Sequence, residues 1–161
     1  EDIAGYLCYD KQNFSNNSNL LVTTLKSRTG TLATYSTPSV YANYFDVNAE
    51  EPQIVVLTDG MSASASELLL GAVLDYGTAV HVGTTTYGKG IAQTIMPLEY
   101  YETLRFGDGS TMRYPYGIYF TAAMFYTPKN VNKHGAGFTP SEENRISDVA
   151  DMVERAAELL E

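Results

Sequence analysis

The sequence has no tryptophan and very little cysteine, since Cys8 is the single cysteine among 161 residues. One cysteine excludes an intrachain disulfide, and no Cys/His pattern typical of a metal site is present. Disulfide scaffolds and metal clusters are therefore not indicated, and we expect no metal or organic cofactor. For Cys8 itself we expect the role of a small buried hydrophobic residue.

Positive charge is also scarce, because 10 Lys and Arg stand against 19 Asp and Glu, giving a formal net charge of −9. No stretch concentrates basic residues, so nucleic acid and anionic membrane surfaces are poor partners. No apolar run approaches the roughly 20 residues of a membrane-spanning helix, and no signal peptide is visible. Since the chain begins with Glu1 and not with Met, we expect it to be a piece of a longer protein.

Apolar residues are plentiful, at 44% of the chain, which suffices for the core of one domain spanning residues 1–161. The clearest local pattern is a buried strand "QIVVLTD", an amphipathic helix ending at Gly77, and a second buried strand "AVHVG". Residues 53–83 are therefore predicted to form a β-α-β unit. The fold class is α/β, with helices packed on a sheet.

Other segments have recognisable signals as well. A hairpin of β-branched residues is predicted around Thr29-Gly30, and a second hairpin around Gly107-Asp108-Gly109. The first ten residues have the apolar pattern of a helix end. The last fifteen, "SDVADMVERAAELLE", predict an amphipathic helix with Ser147 as its N-cap.

The segment "LTDGMSASASELLLG" places three alternating serines between the first buried strand and the helix. Ser64 and Glu67 have the spacing of a capping box, in which each side chain satisfies a free backbone amide of the helix start. A serine at this position also lies beside unpaired N–H groups that could stabilise an oxyanion. The segment is therefore compatible with a simple helix start or with a nucleophilic serine, and the second reading requires a base.

Three residues are candidates for that base. His81 lies inside an apolar strand, where a core or sheet-end role is expected, and His134 lies in a glycine-rich loop typical of a surface or substrate-edge residue. Lys89 lies between two glycines in "TYGKG", after one buried strand and before the next. Burial disfavours the charged form of an amine, and Ser–Lys pairs are a recurring variant of the serine nucleophile. A phosphate-binding role for "GKG" is disfavoured, because the GxxxxGK[ST] pattern is missing.

Taken together, "SASASE", "DYGTAVHVGTTTYGKGIAQTIMPL" and "TAAMFYTPKNVNKHGAGFTP" resemble the C-terminal processing peptidases, or tail-specific proteases, over about residues 53–140. The resemblance implies that Ser64 is the nucleophile, that Lys89 is the general base, and that Gln93 helps to position the lysine. It also implies that the Ala65 N–H donates to the oxyanion.

The same resemblance implies a ClpP/crotonase-like α/β core and hydrolysis of polypeptides near their C-termini. It implies a location in the bacterial cell envelope, periplasmic or extracellular. It leaves the oligomeric state open.

The chain departs from the family pattern upstream of the serines. The D-L-R-x-N-x-G-G stretch that supplies the second oxyanion donor is absent from this chain, as is a PDZ domain. The resemblance therefore implies the C-terminal portion of a larger catalytic core. Two alternatives stay open: a peptide-binding or scaffold module derived from such a protease, and a crotonase-like acyl-thioester enzyme.

Overall fold

The computed structural model describes residues 2–8, 20–37 and 54–161. The helices are α1 (Asp2–Leu7), α2 (Ala65–Tyr76) and α3 (Val149–Glu158), with a short 3₁₀ helix at Glu142–Asn144. The strands are β1 (Leu21–Ser27), β2 (Gly30–Ser36), β3 (Val55–Thr58), β4 (Val80–Gly83), β5 (Ile91–Arg105) and β6 (Thr111–Tyr126). The chain is thus a mixed helix and sheet structure.

Strands β3 and β4 pair in parallel, with Val55 opposite Val80 and Thr58 opposite Gly83. Helix α2 connects them, so the predicted β-α-β unit is confirmed, although Gln53 lies outside the described residues. The helix ends as expected at Gly77, which adopts a left-handed conformation with φ 68°. This unit places the serine segment at the carboxyl end of β3, where α/β proteins commonly bind ligands.

The other four strands form an antiparallel sheet in the order β2-β1-β6-β5. Both predicted hairpins are present, β1 with β2 and β5 with β6. Strands β5 and β6 have 15 and 16 residues, so they extend well beyond the shorter strands that the sequence indicates at "IAQTIMPL" and "GIYFTAAMFYTP". Only residues 124–126 of β6 pair with β1, so the remainder of this hairpin projects as a two-stranded ribbon.

The main apolar core lies between α1, α2 and β1. Ala4, Cys8, Val22, Leu70 and Val73 are all buried in it. The expected role of Cys8 as a buried apolar residue is confirmed, and burial raises the pKa of its thiol to about 12.

The C-terminal helix differs from its prediction in two respects. Its N-cap is Asp148 and not Ser147, because the Asp148 carboxylate accepts hydrogen bonds from the amides of Ala150 and Asp151. An amphipathic helix is expected to bury its apolar residues, but Met152 is the buried residue of α3, whereas Val149, Val153 and the following Leu160 are exposed.

Two features are absent from the described residues. None of their helices is long and apolar enough to cross a membrane. Within residues 2–8, 20–37 and 54–161, no three His, Cys, Asp or Glu side chains group in a way that could hold a metal ion.

Candidate active site

The loop between β3 and α2 is held in shape by Asp59. Its carboxylate accepts hydrogen bonds from the Met61 amide, the Ser62 amide and the Ser62 hydroxyl, at 2.9 to 3.1 Å. These bonds lower the pKa of Asp59, with the Met61 amide contributing most. The first serine of the cluster, Ser62, therefore has a structural role in this loop.

Ser64 is the N-cap of α2 and has an unusual backbone conformation, with φ 58° and ψ −111°. Positive φ is costly for a residue with a Cβ atom, and such residues concentrate at functional sites. The next residue, Ala65, is the first of the helix, and among the described residues its N–H has no acceptor. The free Ala65 amide, next to Ser64, is a backbone donor of the kind that could stabilise an oxyanion.

Glu67 connects this serine to residues 86–90, "TYGKG", which we call the lysine segment. Its side chain is only 1% exposed. Oε2 accepts from the Ser64 N–H at 2.9 Å and from the Lys89 N–H at 2.7 Å. Oε1 accepts from the Gly88 N–H at 2.7 Å and from the Thr86 hydroxyl at 2.6 Å. We call these five residues the Glu67 junction.

The Glu67 junction determines one distance in the site and the charge of its central carboxylate. Because the amides of Ser64 and Lys89 bind the same oxygen, their nitrogens lie within about 5.6 Å, the sum of the two distances. Burial by itself would raise the pKa of Glu67, but the four hydrogen bonds outweigh it and hold the pKa below its ordinary value of 4.5. The carboxylate is therefore charged at neutral pH and can accept all four bonds.

The two glycines beside Lys89 allow close approach of another loop. A Cβ atom at Gly88 would lie 2.9 Å from the Gly137 nitrogen, and one at Gly90 would lie 2.7 Å from the His134 nitrogen. Real Cβ contacts are not this short, and Gly88 also has φ 86°. The sequence "YGKG" is thus explained by packing, since only glycine fits on either side of the lysine.

The loop of residues 132–138 packs against the lysine segment and forms hydrogen bonds with it. The Asn132 amide group donates to the Gly90 carbonyl at 2.8 Å, and the Gly135 N–H donates to the Gly88 carbonyl at 2.8 Å. The Thr86 hydroxyl, which donates to Glu67, also accepts from the Phe138 N–H at 2.8 Å. This loop therefore holds the lysine segment against the serine segment.

His134 belongs to the same loop. It is exposed, and its Nδ1 lies 3.2 Å from the Gly88 carbonyl. Its observed contact is thus with the lysine segment, in keeping with the surface position expected from the sequence.

His81 lies in the interior. Its Nε2 is 2.6 Å from the Thr58 hydroxyl, which itself donates to the Thr84 carbonyl. Since the hydroxyl has one proton, the ring proton is on Nε2, and Nδ1 is buried without a partner. Burial lowers the pKa of His81 to about 4, so the ring is neutral. The expected core role of His81 is confirmed.

The two remaining predicted site residues lie on either side of the start of β5. Lys89 is half-buried, and among the described residues its amine has no hydrogen bond or ion pair. Gln93 is exposed, and its Oε1 accepts from the Tyr119 hydroxyl at 2.8 Å. The Gln93 contact is therefore with β6 and not with Lys89.

Ser64 and Ala65 lie in the wall of a cavity of about 470 Å³. The other lining residues come mainly from α1, α2, β1 and the start of β5, and most are apolar: Ile3, Ala4, Val22, Leu25, Leu68, Leu69, Ile91, Ala92 and Phe125. The volume is within the range of small-molecule sites and can hold one or two side chains. The arrangement thus joins a strained serine and a free amide to an apolar space.

Sequence reasoning identified Ser64, Glu67 and Lys89. It did not identify Thr86, which donates to Glu67, or Asn132, which donates to the Gly90 carbonyl. Glu67 was interpreted only as a capping residue, since three of its four partners are 19 to 22 residues away. The only available signal was the polar "TTT" before "YGKG" and the "NKHG" of the later loop. Neither pattern indicates which groups converge.

Comparison with known proteins places this geometry in context. The model of peptidase family S41 matches residues 10–143. A carboxy-terminal-processing protease of Bartonella bacilliformis is 40% identical over 95 residues, which are 59% of this chain and 18% of that protein. The chain therefore spans about a fifth of the length of this relative.

Solved structures share the fold. The photosystem II D1 C-terminal processing protease aligns with a TM-score of 0.59 and 22% identity, covering 99% of this chain and 34% of that one. A lipoprotein from Streptococcus agalactiae aligns with a TM-score of 0.53 and 14% identity, covering 88% and 44%. At these identities the likeness concerns the fold alone.

Proposed function

Because the chain belongs to peptidase family S41, we propose that it carries the nucleophile and the base of a serine peptidase of the C-terminal processing type. The observation that carries the proposal is the Glu67 junction. One buried carboxylate holds the backbone of Ser64 and the backbone of Lys89 on the same oxygen. Such an arrangement fixes a nucleophile relative to a base before substrate binds.

In the proposed reaction, the amine of Lys89 takes the proton of the Ser64 hydroxyl while Oγ attacks the scissile carbonyl carbon. The N–H of Ala65 donates to the resulting oxyanion. Lys89 then protonates the leaving amine, and the C–N bond breaks to give an acyl-enzyme. Water, deprotonated by Lys89, hydrolyses the ester and regenerates Ser64.

Gln93 is proposed to position Lys89. In the structure its Oε1 accepts one hydrogen bond, from Tyr119, and a carboxamide oxygen has a second lone pair available. Tyr119 would then orient the carboxamide, and the second lone pair would accept from the Lys89 amine. A single oxygen can thus serve both contacts.

The substrates proposed are unfolded or tagged polypeptides cleaved near their C-termini. The apolar cavity beside Ser64 supports an apolar side chain next to the scissile bond. We assign the core to the ClpP/crotonase-like fold and the protein to the periplasm or the outside of a bacterial cell. These assignments rest on the family resemblance.

The alternative is a scaffold module that holds peptide tails without cleaving them. The two functions differ at Ser64, because binding needs the cavity while hydrolysis needs the hydroxyl. Substrate capture that is equal for the wild type and a Ser64→Ala variant, with no cleavage by either, would support the scaffold.

The test uses the full-length protein that contains this chain, with an unfolded polypeptide substrate. We expect Ser64→Ala and Lys89→Ala each to lower kcat by about 10⁴-fold or more, with far-UV circular dichroism unchanged. Ser66→Ala is the matched control, since Ser66 is the next serine and is exposed. It should keep activity within about twofold. Wild-type rates in Ser64→Ala would contradict the assignment.

A further inference from the structure

The β5–β6 hairpin extends far beyond the sheet to which it belongs. We call residues 94–120 the arm. Strand pairing continues from Thr94 opposite Phe120 to Arg105 opposite Thr111, a length of about 30 Å at 3.3 Å per residue of β6. Within the described residues β5 and β6 pair only with each other along the arm. A two-stranded ribbon is marginally stable in water, so the arm is expected to pack against something.

The two faces of the arm differ in composition, although the face that carries Arg113 also has the exposed apolar residues Ile95 and Tyr119, at 63% and 61% exposure. Residues opposite each other in the register share a face, as do alternate residues of one strand. One face has Arg113 stacked on Tyr101 at 4.4 Å, together with Thr103, Arg105 and Thr111. This face is mixed in character.

The opposite face is apolar and uncovered. We call it the arm face, and its residues are all between 39 and 67% exposed: Met96, Tyr100, Leu104, Met112, Tyr114, Tyr116, Ile118 and Phe120. The one charge on it, Glu102, accepts from the Tyr116 hydroxyl at 2.7 Å. Alternation of this kind is typical of a strand with one face buried.

The area of the arm face suits a protein interface. Eight large side chains of roughly 150–200 Å² each, about half exposed, leave about 700 Å² of apolar surface. The largest patch of a typical monomer is about 300–600 Å². One side of a standard interface buries about 800 Å².

Charge distinguishes between the possible occupants. Residues 91–126 contain three acidic and two basic residues, against a net charge of −9 for the whole chain. An anionic lipid surface would repel this chain, and the arm lacks the lysine cluster that would offset the repulsion. A second copy carries the same net charge, but the arms themselves are nearly neutral, so two arms in contact meet little local repulsion.

Addition of another strand to the edges of the arm is disfavoured, so the arm face is the remaining surface for a partner. Pro97 lies on β5, Pro115 lies on β6, and the register shifts between Pro97 and Tyr101. Proline and bulges are the features by which proteins block the addition of a strand to a sheet edge. An extended peptide or another strand is therefore a poor partner.

We propose that the arm face is the interface of a homodimer, in which the arms of two copies pack face to face. Each copy presents the same face, so the interface is isologous and closes with two-fold symmetry. Two ribbons about 10 Å apart form a small sandwich that covers both apolar faces. This inference does not depend on the peptidase mechanism.

The test is sedimentation velocity on purified protein carrying the whole chain, at about 1–100 μM, concentrations that span a micromolar Kd. We expect a dimer for the wild type. We expect Ile118→Lys to weaken dimerisation by at least about 100-fold, because two-fold symmetry places the unpaired charge in the interface twice. The matched control is Ile95→Lys, on the opposite face and 63% exposed, which should change Kd by less than about threefold.

Circular dichroism shows whether each variant is folded, and Met112→Lys replaces Ile118→Lys if the latter is not. A wild-type monomer at 100 μM overturns the proposal, as does an equal response of the two variants. A monomer that co-sediments with phosphatidylcholine–phosphatidylglycerol vesicles overturns it in favour of a lipid surface.

A fluorescence experiment locates the contact. The chain has no tryptophan, so a single introduced tryptophan reports only on its own position. The emission of Ile118→Trp should shift to shorter wavelength as the protein is concentrated, while that of Ile95→Trp should not. A shift in both, or in neither, contradicts an interface on the arm face.

Discussion

The Glu67 junction and the arm are adjacent along the chain, and different interactions hold them. In the junction, a charged group is buried and all four of its donors come from fixed positions of two loops. In the arm, apolar side chains are exposed, and neighbouring residues are joined by the local hairpin register and by contacts between exposed side chains. The junction is complete within one copy of the chain, whereas the arm is not.

The two regions should therefore contribute differently to the stability and the activity of the protein. Breaking the junction should cost stability and activity together, because buried donors lose their acceptor. Changing the outer arm should cost neither in the monomer. Two experiments test this contrast and a third tests His81, a buried group outside both regions; they follow in order of decreasing effect.

The largest effect is expected from Glu67→Gln. The variant keeps the shape of the side chain but turns one acceptor oxygen into a donor, which in either orientation of the amide faces at least one N–H group. We expect a loss of about 3 kcal/mol in the free energy of unfolding, measured in urea. We also expect kcat to fall by about 10²-fold where the protein is still folded, because Ser64 and Lys89 are no longer held together.

The matched control for this variant is Glu99→Gln, the same substitution at an exposed position of the arm. Its free energy of unfolding should change by less than about 0.5 kcal/mol. Similar losses in the two variants would show that the junction has no special role.

A smaller effect is expected from acid, through His81. Its folded-state pKa of about 4 lies below the ordinary 6.5, so the unfolded state binds a proton first as the pH falls. The contribution of the neutral His81 ring to the free energy of unfolding is therefore fully present above pH 6.5 and decreases towards pH 4. Between pH 7.5 and 5 we expect a loss of about 2 kcal/mol in urea unfolding.

The depressed carboxylate pKa of Glu67 contributes only at lower pH. Its contribution is complete above 4.5 and is lost as the pH falls through the folded value, so it does not affect this range. His81→Gln keeps a donor for Thr58 but does not titrate, and it should flatten the profile between pH 7.5 and 5. An unchanged slope in the variant would assign the acid sensitivity to another group.

The smallest effect is expected from shortening the arm. Met96 and Ile118 are directly opposite, so Asn-Gly can replace residues 97–117 as a two-residue turn. At about 0.2 μM, where association is negligible, the free energy of unfolding should change by less than about 1 kcal/mol. A larger loss would show that the arm supports the monomer, and the contrast with the junction would fail.

Much of the local structure could be predicted. The β-α-β unit follows from apolar runs and the glycine stop at Gly77, and both hairpins follow from their turn residues. The length of the arm could not be predicted, because Tyr-rich alternation with Pro97 and Pro115 interrupting it reads as separate short strands. The N-cap of α3 was wrong by one residue, since Ser147 and Asp148 are both good caps and geometry selects the second.

The candidate site divides in the same way. Local patterns made Ser64 and Lys89 candidates, the family resemblance added Ala65 and Gln93, and the catalytic roles of all four stay predictions. The convergence on Glu67 could not be inferred, because a carboxylate that caps its own helix looks the same in sequence whether or not distant amides reach it.

By itself the sequence determined the family, the alternation of the arm, and the glycines that flank Lys89. These are properties of neighbouring residues, for which spacing along the chain is enough. Only the tertiary structure decided that one buried carboxylate joins two loops about 20 residues apart, and that the arm face has no cover among the described residues. Both depend on which surfaces meet in space. Burial strengthens the hydrogen bonds of Glu67, and the lack of burial leaves the arm face unstable when alone.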